Sequence, residues 1–535
     1  MMVQVTNRQT TSKQVVCAAL FILTAVALAP RLYLSWQDVP TLIAKVNADD
    51  FYYYLTIARH LSLGHGATFD GLGPTNGFHP VYTLLLAAIF HLWPYSPDLG
   101  VHLALSLLSL CNVLTAWPLY GIGRQMAGPR AGLAVVLCWL FNPWTMLITL
   151  TGVEAAVYAL LAASTIWAYL RSRVAMGVAS WPLWGLTGLL AGLTMLARSE
   201  GILLLGVITL DLLWQSWNGR RHGHGWRTDV GRLGLCLAVA TLTILPWLVW
   251  SLVNFGTVVQ VSGAAILYNY HHNVPTSLVA LRRIWGWIVG KFILRSGVFG
   301  FQLFALGLLV AITMVATGKR GRNAWQEALS VARPLGFVAV YGLLVVGWYV
   351  LIFWQLQHWY FIAMLLGLTI FVAPAWRALE VLLRGANSFL RRWALPALAI
   401  FLVVSFVAGA AAFWPRGFYP RQAGGYRLAQ WLAQNTPAEA RIGAWNSGII
   451  GYFSHRTVVN LDGVVNNRLY AYVQARHATV LLDGIVDYLR QEGIDYVTDY
   501  EDLLSDQPEQ RWPDVLELIY QFPGTHIRVY GVRAD

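Results

Sequence analysis

The sequence predicts an α-helical polytopic membrane protein of about eleven transmembrane helices, followed by a C-terminal extracytoplasmic α/β domain. Three observations carry that prediction. Apolar residues make up 57% of the 535 and charged residues 12%, and the mean hydropathy of +0.54 lies far above the soluble globular range. Basic residues recur in short loops between apolar runs. After residue 413 the composition changes: Trp414 to the end holds 11 Arg, no Lys and 14 acidic residues, net −3, so the preceding 413 residues carry +15. That asymmetry is the positive-inside bias of a membrane protein and excludes a nucleic-acid partner.

The elements follow in order. The first apolar run, Val15 to Pro30, comes after Arg8 and Lys13. Ala27-Leu28-Ala29 imitates a signal cleavage site, but Pro30 directly behind it opposes cutting. A retained signal-anchor helix with a cytoplasmic N-terminus is expected. Placing the basic loops 124–130, 171–173, 220–232, 319–333 and 377–392 in the cytoplasm gives spans near 14–34, 99–123, 131–150, 155–170, 182–197, 201–217, 233–253, 298–317, 335–354, 362–376 and 393–413. Each is long enough for a hydrocarbon core of ~30 Å. Val81 to Trp93, at about 13 residues, is too short to span and is expected as an interfacial or re-entrant helix within a first outer loop, 35–98.

The cysteines Cys17, Cys111, Cys138 and Cys236 all lie in apolar runs, which opposes a disulfide framework or a zinc site. From Trp414 onward, helical patterns near 426–434 and 482–492 alternate with strand-like stretches at 441–444, 457–461, 495–498, 515–522 and 526–532. This is the pattern of a small α/β domain, so the division expected is 1–413 and 414–535. No internal repeat is evident, which weakens an inverted-repeat transporter.

Loop parity puts Asp49, Asp50, Glu154, Arg198, Glu200, the loop 254–297, His358 and the C-terminal domain on one outer face. Asp49 and Asp50 open the stretch DDFYYYLTIARHLSLGHGATFDGLGPTNGFHP. A carboxylate in a partly dry cleft can take the proton of an acceptor hydroxyl, and two adjacent ones do not ionise equally. An acidic helix N-terminus fits the same residues. Pro74-Thr75-Asn76-Gly77 is a turn signal, and His79 either faces a phosphate or caps the short apolar helix.

Glu154, in LTGVEAAVY at the outer end of a span, is costly unless paired or wet. Arg198 and Glu200, in LARSEG, belong to the same site or form an ion pair that fixes the bundle. The loop 254–297 carries His271, His272, Arg282, Arg283, Lys291 and Arg295 on the face where cations are disfavoured, so an anionic lipid head group is a reason for them. Its aromatics, Tyr268, Tyr270, Trp285 and Trp287, are expected at the membrane interface. His358 and Tyr360, in QLQHWYF, can face the same cleft.

Together these residues resemble the GT-C fold of membrane glycosyltransferases, which take sugar from a polyprenyl-phosphate carrier outside the cytoplasm. The resemblance covers most of the chain. DDFYYYLTIARHLSLGHG is similar to the acidic-pair, tyrosine and Gly pattern of protein O-mannosyltransferases and of the lipid A aminoarabinose transferase. GFHPVY falls where many relatives carry Lys-Pro-Pro, TGVEAAVY and LARSEG look like further motifs of bacterial members, and GAWNSGIIGYFSHRTVVNLDGVVNN resembles their extracytoplasmic domain.

The resemblance implies roles. Asp49 would be the general base of an inverting transfer, with Asp50 and Glu154 orienting acceptor or sugar. Arg198, Arg282, Arg283, Lys291 and Arg295, with His79 and His358 behind them, would face the donor phosphate. Tyr53, Glu200, Tyr360 and Asp462 would touch substrate, although a domain-internal turn explains Asp462 equally well. The WWDYG-type motif of oligosaccharyltransferases is absent, which favours a monosaccharide donor with no obligatory cofactor and leaves a divalent metal open. The expected partners are therefore a polyprenyl-phosphate sugar, a glycan, lipid or protein acceptor, and the bilayer of the inner or plasma membrane. The alternative from another class is a transporter or flippase of a polyprenyl-linked glycan, which requires polar residues lining the middle of several spans.

Overall fold

The computed structural model describes residues 2–93, 96–175, 180–220, 226–271, 307, 318–352, 357–384, 388–504 and 508–533. The chain begins with α1 (Met2–Ser35), after which the first outer loop folds into α2 (Val39–Lys45), α3 (Asp49–Ser62) and α4 (Pro80–Leu92). Next, α5 (Pro97–Leu114) and α6 (Ala116–Ala127) follow one another with a break at Thr115. Then α7 (Pro129–Leu140) and α8 (Pro143–Leu150) form a pair bent by 47°. Helices α9 (Ala155–Val174), α10 (Trp181–Ala197), α11 (Gly201–Arg220) and α12 (Trp226–Phe255) continue the bundle, and α13 (Val261–His271) follows. Helices α14 (Lys319–Ala332), α15 (Gly336–Ile352), α16 (Ile362–Ile370), α17 (Val372–Leu383) and α18 (Ser388–Phe413) close it.

Among the described residues, six helical stretches are long and apolar enough to cross a membrane, and the bent pair adds a seventh. The predicted count of about eleven is not reached in that set. Apart from Gly307, the span expected at 298–317 lies outside the described residues. Those expected at 155–170, 182–197 and 201–217 are the helices α9, α10 and α11, but α10 has only 17 residues, and Arg171, Arg173 and Asp211 lower the hydropathy of the other two. The 13-residue α4 is short, as its sequence requires.

Arg31, completely buried in α1, donates to Asn112 Oδ1 (2.9 Å), Ala27 O (2.7 Å) and Leu140 O (2.8 Å). Leu140 is the last residue of α7, so the guanidinium meets the negative end of that helix just before the bend. On the other side of the bend, Pro143 starts α8 and Asn142 caps it by accepting the Trp144 N–H at 2.9 Å.

A connector, residues 414–421, leads from α18 to α19 (Gln422–Asn435). It is pinned to the first outer loop: Phe418 donates its N–H to Lys45 O (2.7 Å), and the Lys45 ammonium donates to Pro415 O (2.6 Å). Then come β1 (Arg441–Ala444), α20 (Ser447–Phe453), β2 (Thr457–Asn460), α21 (Asn467–Arg476), α22 (Leu482–Gln491), β3 (Tyr496–Asp499), α23 (Pro508–Arg511), β4 (Leu516–Gln521) and β5 (Arg528–Val532). The sheet order is β2-β1-β3-β5-β4, with β1 parallel to β2 and β3, and β5 antiparallel to β3 and β4.

Parallel neighbours need crossovers, and α20 to α22 supply them. Both faces of the sheet are covered. Leu461, Leu469, Ile485, Leu489 and Val497 pack in one core, while Ile442, Ala444, Val458 and Val529 join the core that holds α3, α19 and α20. The α/β segment is therefore seated directly on the first outer loop.

Candidate active site

The short α3 begins behind the extended Ala48, so Asp49 and Asp50 both occupy its first turn, where carboxylates favour the positive helix end. Neighbouring positions on a helix point about 100° apart, and the two acids diverge accordingly. Asp49 is 6% exposed, and its two oxygens accept the N–H groups of Gly448 and Ile449, each at 2.9 Å. Those amides belong to the first turn of α20. The Asp49 N–H is taken by Gln422, whose carboxamide, turned to satisfy both neighbours, accepts it at 3.2 Å and donates to Asn47 O at 2.6 Å.

Asp50 opens instead to a cleft. Protein surrounds it on most sides, and that loss of solvent, reinforced by the Asp49, Asp462 and Glu154 carboxylates, pushes its pKa up to about 8. Burial likewise pushes Asp462 up to about 7, against the Val464 N–H it accepts at 2.9 Å. Asp49, pushed up by burial and held down by its two backbone donors, lies at about 6. Asp50 and Asp462, from two distant parts of the chain, thus share one cleft.

Glu154 sits in the turn between α8 and α9, just after Gly152 at φ +86°. It is ion-paired to Arg198, lies 3.7 Å from His79 Nε2 and accepts the Tyr54 hydroxyl. Arg198 also donates to Glu200 (2.5 Å) and to Tyr349 Oη (2.7 Å), and its guanidinium lies over the Tyr360 ring at 5.5 Å. Tyr360 stacks on Tyr349 at 4.2 Å. The Tyr53 hydroxyl bonds Trp445 O (3.3 Å), with the Asn460 amide at 3.4 Å. Tyr419 adds a hydroxyl that has no partner among the described residues and senses Asp50.

Several expectations change. Asp49 is buried rather than open to an acceptor, and its carboxylate is engaged by two backbone amides and the Tyr500 hydroxyl. Arg198 does not offer a free cation, because two carboxylates and a tyrosine occupy its donors. Burial lowers the pKa of His79, so it is neutral near pH 7 rather than cationic. His358 lies among Trp144, Phe418 and Tyr419, a largely aromatic setting. Tyr268 is not an interface residue: its hydroxyl donates to Val473 O (3.0 Å) and Ala478 O (3.1 Å) of the C-terminal segment. His272, Arg282, Arg283, Trp285, Trp287, Lys291 and Arg295 lie outside the described residues.

Comparison with known proteins identifies the architecture. A family model described as a domain of unknown function, DUF8728, matches residues 416–533. No curated protein matches the sequence at a significant level. Among solved structures, ArnT from Cupriavidus metallidurans bound to undecaprenyl phosphate is 14% identical at a TM-score of 0.64, covering 95% of this chain and 97% of that one. The GT-C fold is this chain's fold. The apo form of the same ArnT is 14% identical at a TM-score of 0.61, covering 98% of both chains. AglB from Archaeoglobus fulgidus, in complex with an inhibitory peptide and a dolichol-phosphate, is 15% identical at 0.52, covering 96% of this chain and 74% of that one.

With the GT-C fold in hand, the apolar helices are those of an integral membrane protein. In this GT-C chain the acidic pair lies beneath the sheet domain, and the sequence reading had missed what holds it there. Tyr54, Tyr349, Tyr419 and the Gly448–Ile449 amides all belong to the site, as does Asn460 of the NLDGVVNN stretch, which the sequence offers beside Asp462 as an acceptor contact. Tyr54 directly follows the predicted Tyr53 along α3, a proximity visible in sequence, whereas Tyr349 near the end of α15 and Tyr419 in the connector carry no such signal. The amides carry none either.

Proposed function

We propose that the chain transfers a monosaccharide from a polyprenyl-phosphate donor to a hydroxyl of a cell-envelope glycan, lipid or protein acceptor, with inversion, and that Asp50 is the general base. One observation carries the assignment: in the acidic pair, Asp50 alone turns its carboxylate into the cleft, among Asp462, Glu154, Tyr360 and Tyr419. The ArnT and AglB structures, with undecaprenyl phosphate and dolichol-phosphate respectively, support a lipid-phosphate donor on this fold.

In the step proposed, the acceptor oxygen forms its bond to the anomeric carbon as the bond to the phosphate oxygen breaks. The acceptor proton passes to Asp50, and the electron pair leaves with the lipid phosphate. Glu154, its charge held by Arg198, accepts hydroxyls of the bound sugar. We assign the leaving-group cations to Arg282, Arg283, Lys291 and Arg295 on their sequence pattern. The reading places the protein in the inner or plasma membrane, with 1–413 as the transferase portion and 414–535 as an extracytoplasmic domain. The transporter alternative is disfavoured because the acids gather at one end of the bundle.

The test is a transfer assay over a panel of polyprenyl-phosphate sugars, with purified wild type and Asp50→Asn side by side. The variant should lose about a hundredfold to ten-thousandfold in kcat, the range for a missing general base. Near-normal turnover by Asp50→Asn would remove Asp50 from the chemistry. Failure of the wild type to use any donor would remove the function itself.

A further inference from the structure

The first acid of the pair is engaged with a partner 400 residues away, and the partner is not a substrate. Each Asp49 oxygen accepts a backbone N–H, from Gly448 and Ile449, at 2.9 Å, the Tyr500 hydroxyl adds a further bond, and the carboxylate is buried. The approach is close enough to require glycine. A Cβ at Gly448 would come within 2.8 Å of Asp49 Oδ2 and collide with the Asp49 carbonyl. Around this contact lie further bonds between the first outer loop and the sheet domain. Tyr53 bonds Trp445 O, Gln422 holds the Asp49 N–H, and Asn467 Nδ2 donates to Asn76 Oδ1 at 3.0 Å. Tyr52 packs its ring against Tyr452 and Phe453 of α20 at 5.6 and 5.4 Å.

What this contact holds in place matters to the site. The β1–α20–β2 unit runs into the turn that presents Asp462. Asn460 accepts the Gly463 N–H at 2.9 Å, Asp462 accepts that of Val464, and the Asn460 amide donates to Ser447 Oγ at 2.9 Å. Ser447 is the first residue of the helix that Asp49 grips. A continuous path of hydrogen bonds therefore joins Asp49 to the turn whose carboxylate faces Asp50.

We infer that Asp49 is a positioning residue: it clamps the sheet domain to α3, and through α20 and Asn460 it sets Asp462 opposite Asp50, so that the C-terminal domain forms one wall of the catalytic centre. This rests on the proposed assignment of Asp50 as base. Each acid then has a separate task, the first structural and the second chemical.

The experiment compares wild type, Asp49→Asn, Asp49→Ala and Gly448→Ala as full-length protein in lipid nanodiscs, by hydrogen exchange of the 447–453 segment and by transfer kinetics. In Asp49→Ala, exchange at Gly448 and Ile449 should speed by about tenfold or more, the scale of a lost charge-assisted hydrogen bond. Asp49→Asn, which keeps one acceptor oxygen, should fall between. Gly448→Ala carries no change in any acid, yet it should reproduce both the faster exchange and a reduced kcat. Residual activity in Asp49→Asn should keep its acid limb, moved to lower pH because Asp50 has lost a neighbouring charge.

The opposite pattern overturns the inference: Asp49→Asn abolishing transfer with exchange unchanged, or Gly448→Ala showing wild-type exchange and turnover. Exchange needs no sugar donor, so a wild type inactive with every donor would defeat the functional reading while the clamp is still decided.

Discussion

Asp462→Asn is the perturbation that reports most directly on how the cleft is tuned. Asp50 stands at about 8 because solvent is withdrawn from it and three carboxylates face it. A base must be ionised to act, so activity rises as pH rises through that value. At pH 7 only about one tenth of Asp50 is ionised, and the rate should climb about tenfold for each pH unit below 8. Removing one facing like charge relieves a neighbour by about one pH unit. The acid limb of Asp462→Asn should therefore move from near 8 to about 7, whatever happens to the absolute rate.

The assay is single-turnover transfer at saturating donor, followed from about pH 5.5 to 9. Asn at 462 keeps the side chain's shape and its acceptor oxygen for the Val464 N–H, so the turn should survive. A limb that stays near 8 in the variant, or a wild-type rate flat across that interval, would refute the reasoning.

Three further outcomes are expected. Arg198→Gln leaves Glu154 and Glu200 buried without their counter-ion, which should cost about 3–5 kcal/mol and lower the unfolding temperature in detergent. Arg198→Lys should not restore it, since an ammonium lacks the planar fork that reaches Glu154, Glu200 and Tyr349 from three nitrogens, and wild-type unfolding of either variant would contradict the network. Gly152→Ala places a Cβ against the Phe51 ring at φ +86°, and strain plus overpacking should cost about 2–4 kcal/mol, read by chemical denaturation. Arg31→Met removes three hydrogen bonds, two of which join α1 to α5 and α7, and leaves Leu140 O unpaired; a loss of about 3 kcal/mol or more is expected, and an unchanged unfolding midpoint would show that the bend does not need it.

Much of the architecture was legible because membrane spans are written in composition. The runs at 233–253 and 393–413 are helices α12 and α18 with little to arbitrate, and β1 begins and ends where Arg441 to Ala444 were read as a strand. The acidic pair, Glu154 and LARSEG were recognisable from charge standing where charge is costly. The short helices α20 and α21 were not anticipated. At 7 and 10 residues they are too short to stabilise themselves, and they exist because the domain packs around them.

The same limit hid the pairings. Arg198 and Glu200 are two residues apart, so their contact could be anticipated, whereas Glu154 and Tyr349 reach Arg198 from 44 and 151 positions away. Asp49 looked like a base because an acid at a helix start has two uses. The packing of residues four hundred positions apart favours the structural one.

The connector pinned at Lys45 sets how far the sheet domain can stray. Eight residues, 414 to 421, join α18 to α19, and fully extended they reach only about 28 Å. Undocking is therefore an intramolecular event at an effective concentration of about millimolar, so that a weakened clamp shifts an equilibrium rather than releasing the domain. An acceptor too large for the closed cleft could enter during such an excursion and be enclosed on return. The length of the tether, rather than the strength of any one contact, would then set how bulky that acceptor is allowed to be.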